Sequence, residues 1–112
     1  MNAEKTGLLY ELRAAVYLKK QGLRILDRRF RAADGEIDLI ARDGDTVAFI
    51  EVKARPQGAL GSGMLAVTAD KRRRVRHAAS AWMLKKGGMD APCRFDILEF
   101  TRAGIQYRKN AF

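Results

Sequence analysis

Glu51-Val52-Lys53 sets a carboxylate and an ammonium two residues apart in Thr46-Val47-Ala48-Phe49-Ile50-Glu51-Val52-Lys53, a run that reads as a β-strand. Residues i and i+2 of a strand leave the same face, so the two charges stand side by side while Val52 points the other way. A second strand-like run, Gly35-Glu36-Ile37-Asp38-Leu39-Ile40-Ala41, brings Glu36 and Asp38, and the Asp43-Gly44 between the runs is a hairpin signal. With the turn centred between Asp43 and Gly44, Leu39 pairs with Ala48 and Ile37 with Ile50. Asp38 then lies diagonal to Glu51, within about 8 Å between Cβ atoms. Two carboxylates at that spacing can share one hard cation, and Mg2+ (or Mn2+), which keeps several waters, suits them. Such an ion polarises a phosphoryl oxygen and lowers the pKa of a bound water, while Lys53 can orient that water or stabilise developing charge. This is the chemistry of phosphodiester hydrolysis. Opposite charges on a sheet also have a plain structural use, worth about 0.2–1 kcal/mol per cross-strand pair. Against that use stands Glu36, an accessory acid whose addition makes three like charges that repel unless a cation or several bases compensate.

The elements that position these groups follow from periodicity and stop signals. Glu4 to Lys20 reads as a helix, with Leu8, Leu12, Ala15 and Val16 at helical spacing and Gly22 as its stop. On that helical wheel Glu11 lies among Leu8, Ala15 and Leu18, so an acid is expected to face the interior, where it needs a partner. Leu23 to Phe30 reads as a strand. In the hairpin that follows, Ile37, Leu39, Ala41, Ala48, Ile50 and Val52 make the core face. The opposite face carries Glu36, Asp38, Ile40, Val47, Phe49, Glu51 and Lys53, with its charge at the end away from the turn. Ala54 to Ala66, with Pro56, Gly58, Gly61 and Gly63, suits a surface loop. Thr68 can cap a helix to about Lys86, ended by Gly87-Gly88, with Val75, Ala78, Ala79, Trp82 and Met83 as its apolar stripe. Arg94 to Thr101 and Ile105 to Tyr107 read as two short strands joined at Ala103-Gly104. The order is α-β-β-β-α-β-β, a single domain over residues 1–112 with an α/β architecture.

Charge and composition narrow the partners. The 112 residues carry 22 Lys and Arg against 13 Asp and Glu, a formal net charge of +9, the footprint of a polyanion binder. Lys71, Arg72, Arg73, Arg74 and Arg76 cover the first turns of the second helix, and with Arg55 they can track phosphates across one face. A solvated helical face would use the same residues for solubility alone. A single cysteine, Cys93, and a single histidine, His77, cannot supply a soft-ligand zinc site or an internal disulfide. Cys93 has no recognisable base partner and reads as structural, His77 as a surface residue, and Asp96 as a strand-end carboxylate satisfied by Arg94. No run is long and apolar enough to cross a bilayer, and the polar opening from Asn2 to Thr6 is unlike a signal peptide, so a cytoplasmic protein without membrane association is expected.

The chain resembles the bacterial YraN-like family of uncharacterised proteins. The likeness rests on Glu11 with Ala14-Ala15 and Tyr17-Leu18, Gly35-Glu36-Ile37-Asp38-Leu39-Ile40, Asp43-Gly44, Phe49-Ile50-Glu51-Val52-Lys53, Lys71-Arg72-Arg73, Arg94-Phe95-Asp96 and Asn110-Ala111-Phe112. Tyr10, where a small residue is expected, and the loop around Gly58 to Gly63 depart from its pattern. The resemblance implies a restriction-endonuclease-like fold, similar to archaeal Holliday-junction resolvases, with a central mixed sheet of about five strands flanked by helices. It assigns magnesium binding to Asp38 and Glu51, assistance to the attacking water to Lys53, and the N-terminal helix acid to Glu11. The expected function is metal-dependent hydrolysis of DNA, including junction DNA, by a protein that as a resolvase would act as a homodimer. The alternatives are a non-catalytic nucleic-acid-binding module with the same basic face, and an adaptor that binds another protein through that face.

Overall fold

A computed structural model describes residues 3–32, 34–55, 67–86 and 90–112. Helix α1 (Ala3–Lys20) leads into strands β1 (Arg24–Ala32), β2 (Gly35–Asp43) and β3 (Thr46–Arg55). Helix α2 (Ala69–Lys86) and strands β4 (Cys93–Thr101) and β5 (Gly104–Arg108) complete the order α-β-β-β-α-β-β. The five strands form one mixed sheet in the order β1-β2-β3-β4-β5, parallel only between β3 and β4. The parallel pair needs a crossover, and α2 lies within it. The loop expected from Ala54 begins later, since β3 runs to Arg55; its residues 56–66 and the Gly87-Gly88 stop lie outside the described residues.

Local chemistry sets the boundaries. Gly22, at φ +93°, closes α1: its N–H donates to the carbonyl of Lys19 at 3.0 Å, and Leu23 N–H donates to that of Leu18 at 3.0 Å. This is a Schellman ending, which a residue without Cβ adopts freely. Thr68 caps α2, its Oγ1 accepting the Lys71 N–H at 3.2 Å.

Both faces of the sheet are buried, where the sequence led us to expect one core face. Leu39, Ala41, Ala48, Ile50, Leu98 and Phe100 pack against Ala14, Ala15 and Leu18 of α1. Ile37, Ile40, Val47 and Phe49 pack against Val75, Ala78, Ala79, Trp82 and Met83 of α2. Trp82 also donates its indole N–H to Asp27 on β1 at 3.1 Å.

Three expectations need correction. The hairpin register is Leu39 opposite Ile50, Ala41 opposite Ala48 and Asp43 opposite Thr46, so the turn centres on Gly44-Asp45 and not on Asp43-Gly44. Gly44 takes φ +63° at the first central position, the place that most needs glycine, and a slip of two residues leaves each residue on its own face. Ile37, expected with Leu39, instead joins the α2 side. Alternation is interrupted beside it, where Arg29 on β1 adopts φ +52° between the pairs Arg28–Leu39 and Phe30–Ile37. On α1 the buried stripe is Glu11, Ala14, Ala15 and Leu18, whereas Leu8, Leu12 and Val16 are 40%, 42% and 53% exposed. The alanines let the helix backbone approach the sheet, and the leucines one step round the wheel are left outside.

Asp96 is also placed differently from expectation. Arg94 does satisfy it, at 3.0 Å, but β4 is paired on both sides, so the carboxylate is fully buried. It also accepts the Tyr107 hydroxyl and the Asn110 N–H. Burial first, and then the bond to Asp96, raise the Tyr107 phenol above its ordinary pKa.

Candidate functional site

The ladder between β2 and β3 ends at the pair Leu39–Ile50. One step beyond it, the Asp38 carboxylate replaces the missing backbone partner and accepts the Val52 N–H at 2.8 Å. Asp38 is thereby fixed next to Glu51, on the side where the strand ends meet α2. Burial and then the charge of Glu51 push the Asp38 carboxyl up to about 7, against the Val52 N–H, which lowers it.

Glu51 is 7% exposed and gathers two cations on one oxygen. Lys71 Nζ stands 2.6 Å from its Oε1 and Lys53 Nζ 3.4 Å. Burial, followed by the hydrogen bond with Lys71, lowers the Lys53 pKa. Burial would lower that of Lys71 as well, but its bond to Glu51 carries it above the ordinary value. Glu99, fully buried on β4, is the register partner of Lys53.

Glu11 reaches the same region from α1. Its Oε1 is buried without a hydrogen bond, and the nearest cation is Arg29, whose Nε is 3.6 Å away. Burial raises the Glu11 pKa, Arg29 opposes that shift, and the charges of Glu36 and Glu51 add to it. The left-handed backbone at Arg29 costs about 1–2 kcal/mol for a residue with a Cβ, and strain of this size clusters at functional positions. Glu36 sits opposite Arg31 and pairs with it at 3.5 Å.

Asp38 and Glu51 open into a cleft of about 480 Å³ lined also by Glu36, Lys71, Arg31 and Arg74, among others. Gly35 forms part of its wall. A Cβ there would lie 2.1 Å from the Arg74 carbonyl oxygen, so glycine is what lets α2 press onto the start of β2. Among the described residues, no three His, Cys, Asp or Glu side chains converge tightly enough to enclose a metal. The oxygen donors of Asp38 and Glu51, with water, still suit Mg2+, which takes one or two carboxylates and few other protein ligands. The Glu51 carboxylate already has its charge met by Lys71 and Lys53, while the buried Glu11 Oε1 has Arg29 as its ion-pair partner at 3.6 Å.

The sequence-derived site residues divide accordingly. Glu36, Asp38 and Glu51 line the cleft, Lys53 joins it through its pair with Glu51, and Glu11 lines a separate hollow with Arg28 and Arg29 on the α1 side, close enough to feel the charges of Glu36 and Glu51. Of the residues assigned to the basic face, Lys71 turns inward onto Glu51, and Arg74 lines the cleft while pairing with Asp70 at 3.1 Å. Arg73 is held by Asp70 and Asp34. Arg72 lies over the Phe112 ring and Arg76 over Phe95. Arg55 is exposed at the end of β3. His77 is exposed beside Asp34, and Cys93 is an exposed free thiol at the start of β4. Sequence reasoning missed Arg29, Arg31 and the inward role of Lys71.

A family model described as "Uncharacterised protein family UPF0102" matches residues 10–100 of the chain. A UPF0102 protein of Geobacter sulfurreducens is 45% identical over 95% of this chain and 87% of its own length. A second, from Geobacter metallireducens, is 43% identical over 100% of this chain and 95% of its own. The UPF0102 protein YraN of Salmonella typhi is 36% identical over 100% of this chain and 87% of its own. Among the described residues, no helix is long and apolar enough to cross a membrane.

Proposed function

The chain belongs to the uncharacterised protein family UPF0102, and from the arrangement of its cleft we propose that it is a metal-dependent nuclease acting on DNA. The observation that carries the reading is the meeting of Asp38 and Glu51 in a cleft rimmed by Arg31, Lys71 and Arg74, with Lys53 paired to Glu51. In this reading Asp38 and Glu51 hold Mg2+ or Mn2+. The ion, when bound, supplies charge stabilisation at a phosphoryl oxygen and a more acidic water. Lys53, held at Glu51 and with its pKa lowered by burial, positions the attacking water and can take a proton from it. Glu11 faces the same region and supports the site from α1, while the arginine rim orients the phosphate backbone. A restriction-endonuclease-like fold, a preference for branched DNA and action as a homodimer belong to this proposal as well.

The test is cleavage of labelled duplex, single-stranded and four-way-junction DNA with Mg2+ or Mn2+, comparing the parent with Asp38→Ala and Lys53→Ala purified identically. Both variants are expected to lose cutting, and Lys53→Ala to keep DNA affinity within a few-fold. Equal loss of cutting and binding in Lys53→Ala would remove its assigned role. The second reading, a non-catalytic nucleic-acid-binding module, is favoured by the Lys71–Glu51 pair, which neutralises the carboxylate without any metal. Binding without cutting under every metal condition would select it.

A further inference from the structure

Glu51 holds the tightest ion pair of the cleft, Lys71 Nζ to Oε1 at 2.6 Å, and the same oxygen faces Lys53 at 3.4 Å. Both ammoniums stand on one Glu51 oxygen, so a dication held between Glu51 and Asp38 would be repelled by each of them. Departure of one ammonium relieves that repulsion. Lys53 rises from the sheet itself, and its side chain is 16% exposed. Lys71 is 31% exposed, at the mouth of the cleft, on a four-carbon stem that can swing outward without moving the helix. Its main chain is fixed meanwhile by the Thr68 cap and by the close seat of α2 on Gly35. Lys71 is therefore the cation free to exchange. A phosphodiester in the cleft, between Arg31 and Arg74, offers the departing ammonium a new anionic partner.

We propose that Lys71 and a divalent ion are alternative partners of Glu51, and that a nucleic-acid phosphate entering the cleft draws Lys71 away, so that the polyanion promotes loading of the metal. The inference rests on the proposed metal role of Asp38 and Glu51. It adds a device by which the protein alone takes up little metal and the protein bound to nucleic acid takes up more. The two binding events are coupled through one side chain, so each strengthens the other by the same factor.

The experiment is a Mn2+ titration of the full chain, followed by electron paramagnetic resonance of the free ion, with and without a short DNA duplex. It uses the parent, Lys71→Ala, Lys71→Gln and Asp38→Ala; the glutamine variant keeps the length and polarity of the stem should the alanine variant fold poorly. Without DNA, both Lys71 variants are expected to bind Mn2+ about tenfold more tightly than the parent, the effect of one lost charge-assisted contact. Duplex is expected to raise the affinity of the parent and leave that of the Lys71 variants unchanged. The Asp38→Ala complex reports any Mn2+ held by the DNA itself. If the parent binds Mn2+ and Asp38→Ala does not, yet the Lys71 variants bind no more tightly than the parent, the exchange proposal is overturned while the metal site stands. If neither the parent nor the Lys71 variants bind Mn2+, the metal reading falls and the exchange falls with it.

Discussion

Asp38 is pulled in two directions, because the Val52 N–H favours its charge while burial and Glu51 oppose it, and the opposing effects prevail. Its carboxyl rises from 3.8 to about 7, so between those values the folded chain holds a proton that the unfolded chain has released. The folded form is then favoured most below the unfolded pKa, and this contribution is lost as pH rises through about 7. Glu11 shifts in the same direction. Asp38→Asn resembles the protonated form permanently and is expected to be more stable than the parent by about 1 kcal/mol or more at about pH 8, with the gap narrowing at about pH 5 and closing only below about pH 4. Urea denaturation at the two pH values measures this. Equal stability at the higher pH would mean that the carboxylate carries no burial cost. Divalent binding needs the ionised carboxylate and is expected to strengthen over the same rise in pH.

Among the elements, the seat of α2 on β2 decides whether the cleft exists. Gly35→Ala would drive a Cβ into the Arg74 carbonyl, a contact that backbone cannot relieve by rotating a side chain. The expected cost is about 1–3 kcal/mol, read as a lower urea midpoint, together with movement of Lys71 away from Glu51. An unchanged midpoint would show that α2 can slide at no cost. The order of the elements was legible because short-range signals mark each boundary: the Gly22 stop, the glycine turn near position 44 and the Thr68 cap. The register was not, since Asp43-Gly44 and Gly44-Asp45 fit the same apolar alternation and only the turn geometry separates them. The buried face of α1 was hidden for another reason. Two alanines and a glutamate join Leu18 on the inward stripe while Leu8, Leu9, Leu12 and Val16 point out, against what hydropathy suggests. The acids and Lys53 of the site were legible from a two-residue spacing, whereas the inward turn of Lys71 depends on how a helix packs on a sheet many residues away.

Across the whole molecule, the +9 charge is unevenly available for binding. Arg72 and Arg76 lie over Phe112 and Phe95, Arg94 pairs with Asp96 and Asp43, and Arg73 with Asp34 and Asp70, while Arg31, Lys71 and Arg74 line the cleft, each also paired with an acid: Glu36, Glu51 and Asp70. The C-terminal segment contributes to this division, since Asn110 turns at φ +56° and brings Phe112 onto Phe95. The sheet also has a temporal consequence. Strands β1, β2 and β3 meet through turns between neighbours in the chain, but Val47 pairs with Cys93 and Arg55 with Thr101, a constant separation of 46 residues (93 less 47). Closing so long a segment is slow, and contacts of low sequence separation form first. The three-strand meander is therefore expected to be organised at the folding barrier and β4 to dock after it. Leu39→Ala should then slow refolding, and Leu98→Ala should chiefly accelerate unfolding, in stopped-flow chevrons of the two variants. Since Lys53 and Glu99 come together only when β4 docks, the surroundings of Lys53 are the last part of the site to form.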